Sequence, residues 1–235
     1  MPPVMPYVNQ FTGDASFYPP LRKKGRSERS VTLHRLIVMP ENSIEDLLKI
    51  VSENMPFDTD NLATAIHKLA KLRRNHNVMH ETITEDPRWT MLISQVVENG
   101  TAFIWPMRLL ALVSWAVASL RDRRITPLLF DIAAKRLVMG SVPQDLSSLA
   151  WAVATARAKD SAAVALLRQV SLESAKSVQS FCPQDLAMCA WAFAKVAMRD
   201  AQLLHLFADE ALEKYSELNG QNLSNLVWSL ATIRE

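Results

Sequence analysis

The sequence predicts an all-α protein, a right-handed α-solenoid of about five helix-turn-helix repeats of 36–40 residues each. Three observations lead to this fold class. A segment built around the pattern Leu-x₄-Trp recurs along the chain, and its clearest copies begin at Pro143 and Pro183. The copies follow one another at a nearly constant interval, which is typical of stacked-repeat proteins. Glycine is scarce, at 5 of 235 residues, while alanine, leucine and methionine are common, which favours helix.

Five copies of this segment align on a shared leucine, which we number position 0. The intervals between their position +5 residues are 48, 36, 40 and 37 residues. Those residues are His67, Trp115, Trp151, Trp191 and Trp228. Each copy is predicted to form the first helix of a repeat, and the segment that follows it forms the second.

The chain before the first copy divides into two parts. Residues 1–30 are rich in proline and basic side chains and have no apolar period, so we predict a disordered basic tail. We interpret this tail as a linker, with a nucleic-acid-binding or targeting arm as the alternative. Residues 31–235 are predicted to form the helical repeat domain. Its first predicted helix starts in the segment 43–51, where Ser43 is a favourable N-cap and Glu45 and Asp46 lie in the first turn.

The remaining helices follow from apolar periodicity and from cap residues. Asp86 and Asp200 are predicted N-caps. The polar stretch 73–86 lengthens the first interval, and we interpret it as an inserted turn or additional helical turns. The predicted helices cover 57–72, 87–97, 106–121, 126–140, 143–157, 161–178, 183–198, 201–215 and 221–234.

Two stripes on each copy predict contacts on two sides. Positions 0, +3, +7 and +10 are mostly apolar and should face the core. Positions +1, +4 and +8 are mostly small, as in Ala187, Ala190 and Ala194, which allows a neighbouring helix to approach closely. We interpret the aromatic residue at position +5 as packing between repeats. A ligand-stacking platform and a partner hot spot are the alternatives.

Arginine recurs at position +11, close to the carbonyl end of each copy. Its charge complements the helix dipole there, and contact with a phosphate group is the alternative interpretation. The arginines are Arg73, Arg121, Arg157 and Arg234.

A third face is polar and differs from copy to copy. Positions −2, +2 and +9 share one side of the helix, and helical-repeat RNA binders use two or three side chains per repeat to read one base. The alternative is that solvent-facing positions vary freely. The candidate RNA-binding residues are Lys71, Arg108, Ser119, Gln144, Ser148, Thr155, Gln184, Met188, Lys195, Gln221, Asn225 and Thr232.

Charge and motifs disfavour several other functions. Residues 1–40 carry a net charge of +4 and the remainder −2, which counts against strong non-specific nucleic-acid binding by the repeat body. Phosphate-loop, dinucleotide-binding and nucleophile-elbow motifs are absent. His76 and His80 have no third metal ligand nearby, and Cys182 and Cys189 are interpreted as packing residues. We therefore expect no enzyme activity, no metal and no cofactor, and no membrane span.

Segments 183–196, 221–233 and 61–70 resemble the helical repeats of octotricopeptide-repeat proteins and, equally, the repeat region of RAP-domain and FAST-kinase-like proteins. The resemblance covers about residues 43–235. It implies an α-solenoid that binds single-stranded RNA in mitochondria or plastids and acts in transcript stability, processing or translation. The variable positions above would then be the RNA readers.

The sequence departs from these families in three respects. It shows no C-terminal RAP-type domain, and residues 1–30 contain no amphipathic, arginine-rich presequence, so a cytoplasmic location stays open. The chain also stops on an unpaired first helix, which predicts a truncated solenoid with Leu226 and Leu230 exposed. A scaffold for protein–protein interaction is the alternative function, and the oligomeric state is left open.

Overall fold

The computed structural model describes residues 27–101, 105–137 and 141–234, and the regular structure in these ranges is helical. Twelve α-helices lie in the described part of the chain. They are α1 Glu28–Val38, α2 Ile44–Asn54, α3 Thr59–Asn75, α4 Glu81–Thr84, α5 Pro87–Thr101, α6 Met107–Ser119, α7 Thr126–Arg136, α8 Pro143–Ala156, α9 Ser161–Ser177, α10 Pro183–Lys195, α11 Ala201–Glu213 and α12 Gly220–Arg234.

The helix starts follow the cap chemistry expected from the sequence. The hydroxyl of Ser43 accepts a hydrogen bond from the Asp46 backbone, whose side chain in turn accepts from the Ser43 backbone. Asp200 caps α11 through the Leu203 backbone N–H. All-helical structure is confirmed for the described residues.

The first helix begins at Glu28, slightly before the boundary of about residue 30 predicted for the tail. Ser27 accepts a hydrogen bond from the Ser30 backbone and starts α1, because Leu33 and Ile37 lie one turn apart and are buried on one face. The rest of the predicted tail, residues 1–26, lies outside the described residues. The helix predicted to reach residue 140 ends at Arg136, and residues 138–140 are also outside the described ranges.

Contacts between helices follow two series. In one series, α1, α3, α6, α8, α10 and α12 each contact the next; we call these the A helices. In the other, α2, α5, α7, α9 and α11 each contact the next; we call these the B helices. The two series also contact each other, as α6 does α7 and α8 does α9.

The neighbouring A helices α8 and α10 run parallel. Near their N-termini, Ser147 of α8 donates a hydrogen bond to Asp185 of α10 at 2.7 Å. At their C-terminal ends, Arg157 and Lys195 line one pocket. The start of α8 therefore lies beside the start of α10, and the two ends are likewise adjacent.

The stripe of small residues faces the next A helix. Positions +1, +4 and +8 are buried in α6, α8 and α10, whereas α12, after which the described structure has no further A helix, exposes Val227 at position +4. The prediction that Leu226 and Leu230 are exposed is wrong, because Leu226 is buried and Leu230 is partly buried. Leu223 and Val227 are the exposed residues, at 52% and 58%, because they lie on the side of α12 away from α10 and α11.

The A helices from α3 to α10 end in the same way. Asn77, Arg121, Arg157 and Ala197 adopt left-handed backbone conformations, with φ of 50°, 57°, 52° and 56°. The next backbone N–H reaches back to a carbonyl five residues earlier, as from Ala158 to Val153, which is a Schellman motif. In α3 this motif falls one helical turn later than in the other helices, which accounts for part of the longer first interval.

Candidate nucleic-acid interface

The position +5 residues of the first three copies form a continuous stack of rings. The His67 and Trp115 ring centroids are 5.3 Å apart, and those of Trp115 and Trp151 are 5.6 Å apart at 27°. Trp115 and Trp151 are buried, and the Arg74 guanidinium lies 5.9 Å from the centre of the Trp115 ring. The packing interpretation is confirmed for these two tryptophans, since their ring faces are occupied by protein.

His67 lies at the start of this stack as a neutral ring. Burial lowers its pKa to about 3, and the positive charges of Lys71 and Arg74 act in the same direction. A neutral imidazole can pack against an indole without bringing a charge into the A-helix layer.

The structure distributes the candidate RNA-binding residues over five successive A helices but does not leave all of them open. Lys195 and Thr232 are exposed, whereas Ser148 and Met188 at position +2 are each only 6% exposed. Neighbouring parts of the protein therefore cover position +2 in α8 and α10. The partly buried candidates are Lys71, Arg108, Ser119, Gln144, Thr155, Gln184, Gln221 and Asn225.

Two candidates at position +9 carry hydroxyl groups with unused hydrogen-bonding capacity. Ser119 Oγ and Thr155 Oγ1 are buried atoms without a hydrogen-bond partner among the described residues. Position +9 therefore combines two unsatisfied hydroxyls with the lysines Lys71 and Lys195, and it lies next to the C-terminal ends of the A helices.

The N-terminal ends of the A helices are acidic. Asp185 accepts hydrogen bonds from Ser147 and from the Cys182 thiol, the latter at 3.1 Å, and burial raises its pKa against these bonds. Asp145, its equivalent in α8, is buried, and its Oδ1 has no hydrogen-bond partner in the described part of the chain. Burial raises the pKa of Asp145 to about 6, with Arg108 opposing the change and Asp185 adding to it.

The C-terminal ends are basic. The segments that lead from the ends of A helices to B helices, at 71–86, 119–125, 155–160 and 195–200, contain ten basic residues and six acidic residues. We call this side the basic edge. The segments that lead from B helices to A helices, at 53–60, 98–108, 135–145, 176–185 and 213–222, contain five basic and eight acidic residues. Charge is therefore separated along the length of the A helices.

Three of the acidic residues of the basic edge, Asp122, Asp160 and Asp200, are engaged within the protein. Asp122 accepts hydrogen bonds from Arg124 and, at 2.7 Å, from the Trp89 ring; burial acts to raise its pKa, but these bonds outweigh it and lower the pKa. Asp160 caps α9 through the Ala163 backbone, and Asp200 caps α11 and accepts a hydrogen bond from Ser171.

Several basic residues of this edge are exposed and lie near like charges. Arg121, Arg157 and Lys195 are exposed and form no ion pair among the described residues. Burial lowers the pKa of Arg73, the nearby charge of Arg121 lowers it further, and the carboxylate of Glu81 opposes the change. Like charges on successive repeats repel one another unless an anion lies between them.

Sequence reasoning missed the basic edge because charge was summed over the whole repeat body. Counting charge separately for the two sets of connecting segments would have identified it. The interpretation of Arg121 and Arg157 as residues at the carbonyl end is confirmed, and the structure adds that both occupy left-handed positions. Arg234 has no described side chain.

Comparison of the chain with models of known protein families gives no match, and comparison with curated proteins gives none either. Among the described residues, no cluster of three or more His, Cys, Asp or Glu side chains could hold a metal ion. No described helix is both long enough and apolar enough to cross a membrane. The helices and their contacts define the class of protein: it is an all-helical protein with two series of helices that contact each other.

Proposed function

We propose that the chain is an α-solenoid that binds single-stranded RNA along the basic edge. The observation that carries this proposal is the charge separation between the two sets of connecting segments, ten basic to six acidic against five basic to eight acidic. Phosphate groups are recognised by clustered arginine and lysine, and this electrostatic term dominates nucleic-acid affinity.

The contact pattern supports the solenoid. Each A helix contacts the next A helix, and each B helix the next B helix. The exposed stripe on α12 is the one that is buried between A helices earlier in the chain. In a stacked-repeat protein each repeat contacts its neighbours in this manner.

Parallel A helices place their C-terminal turns in a row, so each repeat would offer cations to a linear polyanion. Residues of position +9 lie beside that row, where Lys195 contributes charge and Ser119 and Thr155 contribute hydroxyl groups. These side chains would meet bases, while the arginines of the turns hold phosphates. The resemblance to octotricopeptide-repeat and related proteins favours RNA over DNA and a role in organellar RNA metabolism.

Binding of the full chain to a pool of fluorescent single-stranded RNA tests the proposal. The variant Arg121→Glu with Arg157→Glu reverses two charges on the basic edge. Its matched control, Lys135→Glu with Lys176→Glu, makes the same net change on the opposite edge, where both lysines are exposed. We expect the first variant to weaken binding at least about tenfold and the control to retain most of it.

Three results would count against the proposal. Folded wild-type protein that fails to bind RNA at low salt contradicts it directly. Equal loss in both double variants means that only net charge matters. Binding that disappears when residues 1–26 are removed, but survives in both variants, assigns RNA to the basic N-terminal run instead.

One observation favours a protein-interaction scaffold as the second candidate function. Large apolar side chains are exposed near the C-terminal end of the described structure. Leu212 on α11 is 70% exposed, Tyr215 just after α11 is 74% exposed, and α12 exposes Leu223 and Val227. Clustered exposed apolar side chains often mark protein contacts. A folded protein without RNA affinity would favour this candidate.

A further inference from the structure

A pocket lies on the basic edge between two successive repeats. Its volume is about 680 Å³. One wall comes from the end of α8 and from α9, and the other from the end of α10 and the turn after it. Its lining residues are Ala154, Arg157, Ala158, Lys159, Val164, Leu167, Arg168, Lys195, Val196, Ala197 and Met198.

The rim of the pocket is cationic. Arg157, Lys159, Arg168 and Lys195 are exposed, and none forms an ion pair or side-chain hydrogen bond within the described residues. No acidic residue lines the pocket. The C-terminal ends of α8 and α10 bring partial negative charge of about half an elementary charge each, which the four cations exceed. The pocket therefore favours an anionic ligand.

The remaining lining is apolar. Val164, Leu167 and Arg168 share one face of α9, and Val196 and Met198 lie opposite them. Val164, which belongs to this lining, is 42% exposed. Covering such a surface with a flat apolar group removes it from water, which lowers the free energy of the complex.

We propose that this pocket receives one nucleotide of a bound single-stranded RNA, with the phosphate at the cationic rim and the base over the apolar residues. This inference rests on the proposed RNA-binding function. Arginine suits both parts of the ligand, because its guanidinium group binds phosphate through two hydrogen bonds and stacks on bases. Lys195 connects the pocket to position +9, where base readers were predicted.

An acidic peptide is the other ligand that would complement these charges. The pocket favours the nucleotide because its volume lies in the range of sites for small molecules, about 300–1,000 Å³. It also lies within a row of basic turns that continues through Arg121 and Arg123, as a polyanionic strand requires and a single peptide side chain does not.

Photocrosslinking of the full-length protein tests the proposal. The probe is a single-stranded oligouridine RNA in which one residue is 4-thiouridine, and mass spectrometry identifies the crosslinked amino acids. We expect adducts on pocket residues such as Met198 and Val164. Poly-glutamate at equal charge concentration is added in a parallel reaction.

Two variants accompany the crosslinking. Arg157→Gln with Arg168→Gln should abolish the pocket adducts and weaken RNA binding about tenfold. Lys135→Gln with Lys176→Gln removes the same charge outside the pocket and should change neither. Melting followed by circular dichroism confirms that both variants are folded.

The outcomes separate the pocket from the function. RNA binding with adducts only at other residues overturns the pocket proposal and leaves the proposed function intact. Absence of RNA binding overturns both. Displacement of the pocket adducts by poly-glutamate, with RNA still bound elsewhere, would assign the pocket to an acidic peptide.

Discussion

The hydroxyl of Ser147 donates a 2.7 Å hydrogen bond to the carboxylate of Asp185, and this pair joins α8 to α10. One repeat earlier the equivalent carboxylate is Asp145, and the repeat position that Ser147 holds in α8 is occupied by Ala111 in α6. Asp145 is 4% exposed and its Oδ1 has no partner among the described residues. The same structural position is therefore satisfied in one repeat and unsatisfied in its neighbour.

Replacement of Asp145 by asparagine should raise the free energy of unfolding at neutral pH. The pKa of Asp145 is about 6 in the folded protein against 3.8 for an unperturbed aspartate, so the folded state binds the proton more tightly. This group therefore destabilises the fold progressively as pH rises from about 4 through 6. We expect Asp145→Asn to gain about 1–3 kcal/mol at pH 7.5 and close to none at pH 4, measured by urea unfolding. An equal gain at both pH values would contradict this account.

Introduction of a donor at position 111 should have a related effect. In Ala111→Ser, the new hydroxyl occupies the place that corresponds to Ser147, so it should donate to Asp145. We expect the pKa of Asp145 to fall and stability at pH 7.5 to rise by about 1–2 kcal/mol. The gain should vanish in an Asp145→Leu background, which mirrors Leu109 in the preceding repeat; a gain that persists there would mean that the hydroxyl acts elsewhere.

The left-handed residue after α10 offers a stability test of the helix ends. Ala197 has φ of 56°, a conformation that costs residues other than glycine about 1 kcal/mol. Ala197→Gly should therefore raise the free energy of unfolding by about 0.5–1 kcal/mol. The control Ala165→Gly, at an exposed position within α9, should lower it by a similar amount. If both variants lose stability in thermal unfolding, the assigned helix end is incorrect.

The stack of rings predicts a second pH dependence, opposite in sign to that of Asp145. The pKa of His67 is about 3 in the folded protein against 6.5 for an unperturbed histidine, so the unfolded state binds the extra proton between these values. The contribution of His67 to stability is thus present at neutral pH and is lost as pH falls from 6.5 towards 3. On going from pH 7.5 to pH 5, His67→Phe should lose about 2 kcal/mol less than wild type.

When the pH dependence of stability is compared between His67→Phe and wild type, the contributions of the other titrating groups cancel, because both proteins contain them. An NMR titration of the His67 ring in the wild-type protein is the direct check. A midpoint near the unperturbed value of 6.5 would show that the ring is not held neutral by its surroundings.

Recurrence of the Leu-x₄-Trp segment was sufficient to predict the helices, because each copy satisfies core, neighbour and cap requirements at once. It was insufficient for α1, which contacts α3 as the other A helices contact one another but carries no copy of the segment. The burial of Ser148 and Met188 could not be predicted from the sequence either, since coverage at position +2 depends on how closely the neighbouring helices approach.

The basic edge illustrates a different limit. Its arginines were visible in the sequence, but the pocket beside Arg157 and Lys195 depends on two turns that are 40 residues apart in sequence and adjacent in space. Only the stacking of α8 on α10 brings them together.

The salt dependence of RNA binding tests the central claim most directly. Each phosphate contact with a single strand contributes about 0.7 to the slope of log affinity against log salt concentration. We predict that Arg121→Gln and Arg157→Gln each reduce the magnitude of the slope by about that amount, and that Lys135→Gln leaves it unchanged. Slopes that are identical in all four proteins, or no measurable binding at low salt, would contradict the assignment of single-stranded RNA to the basic edge.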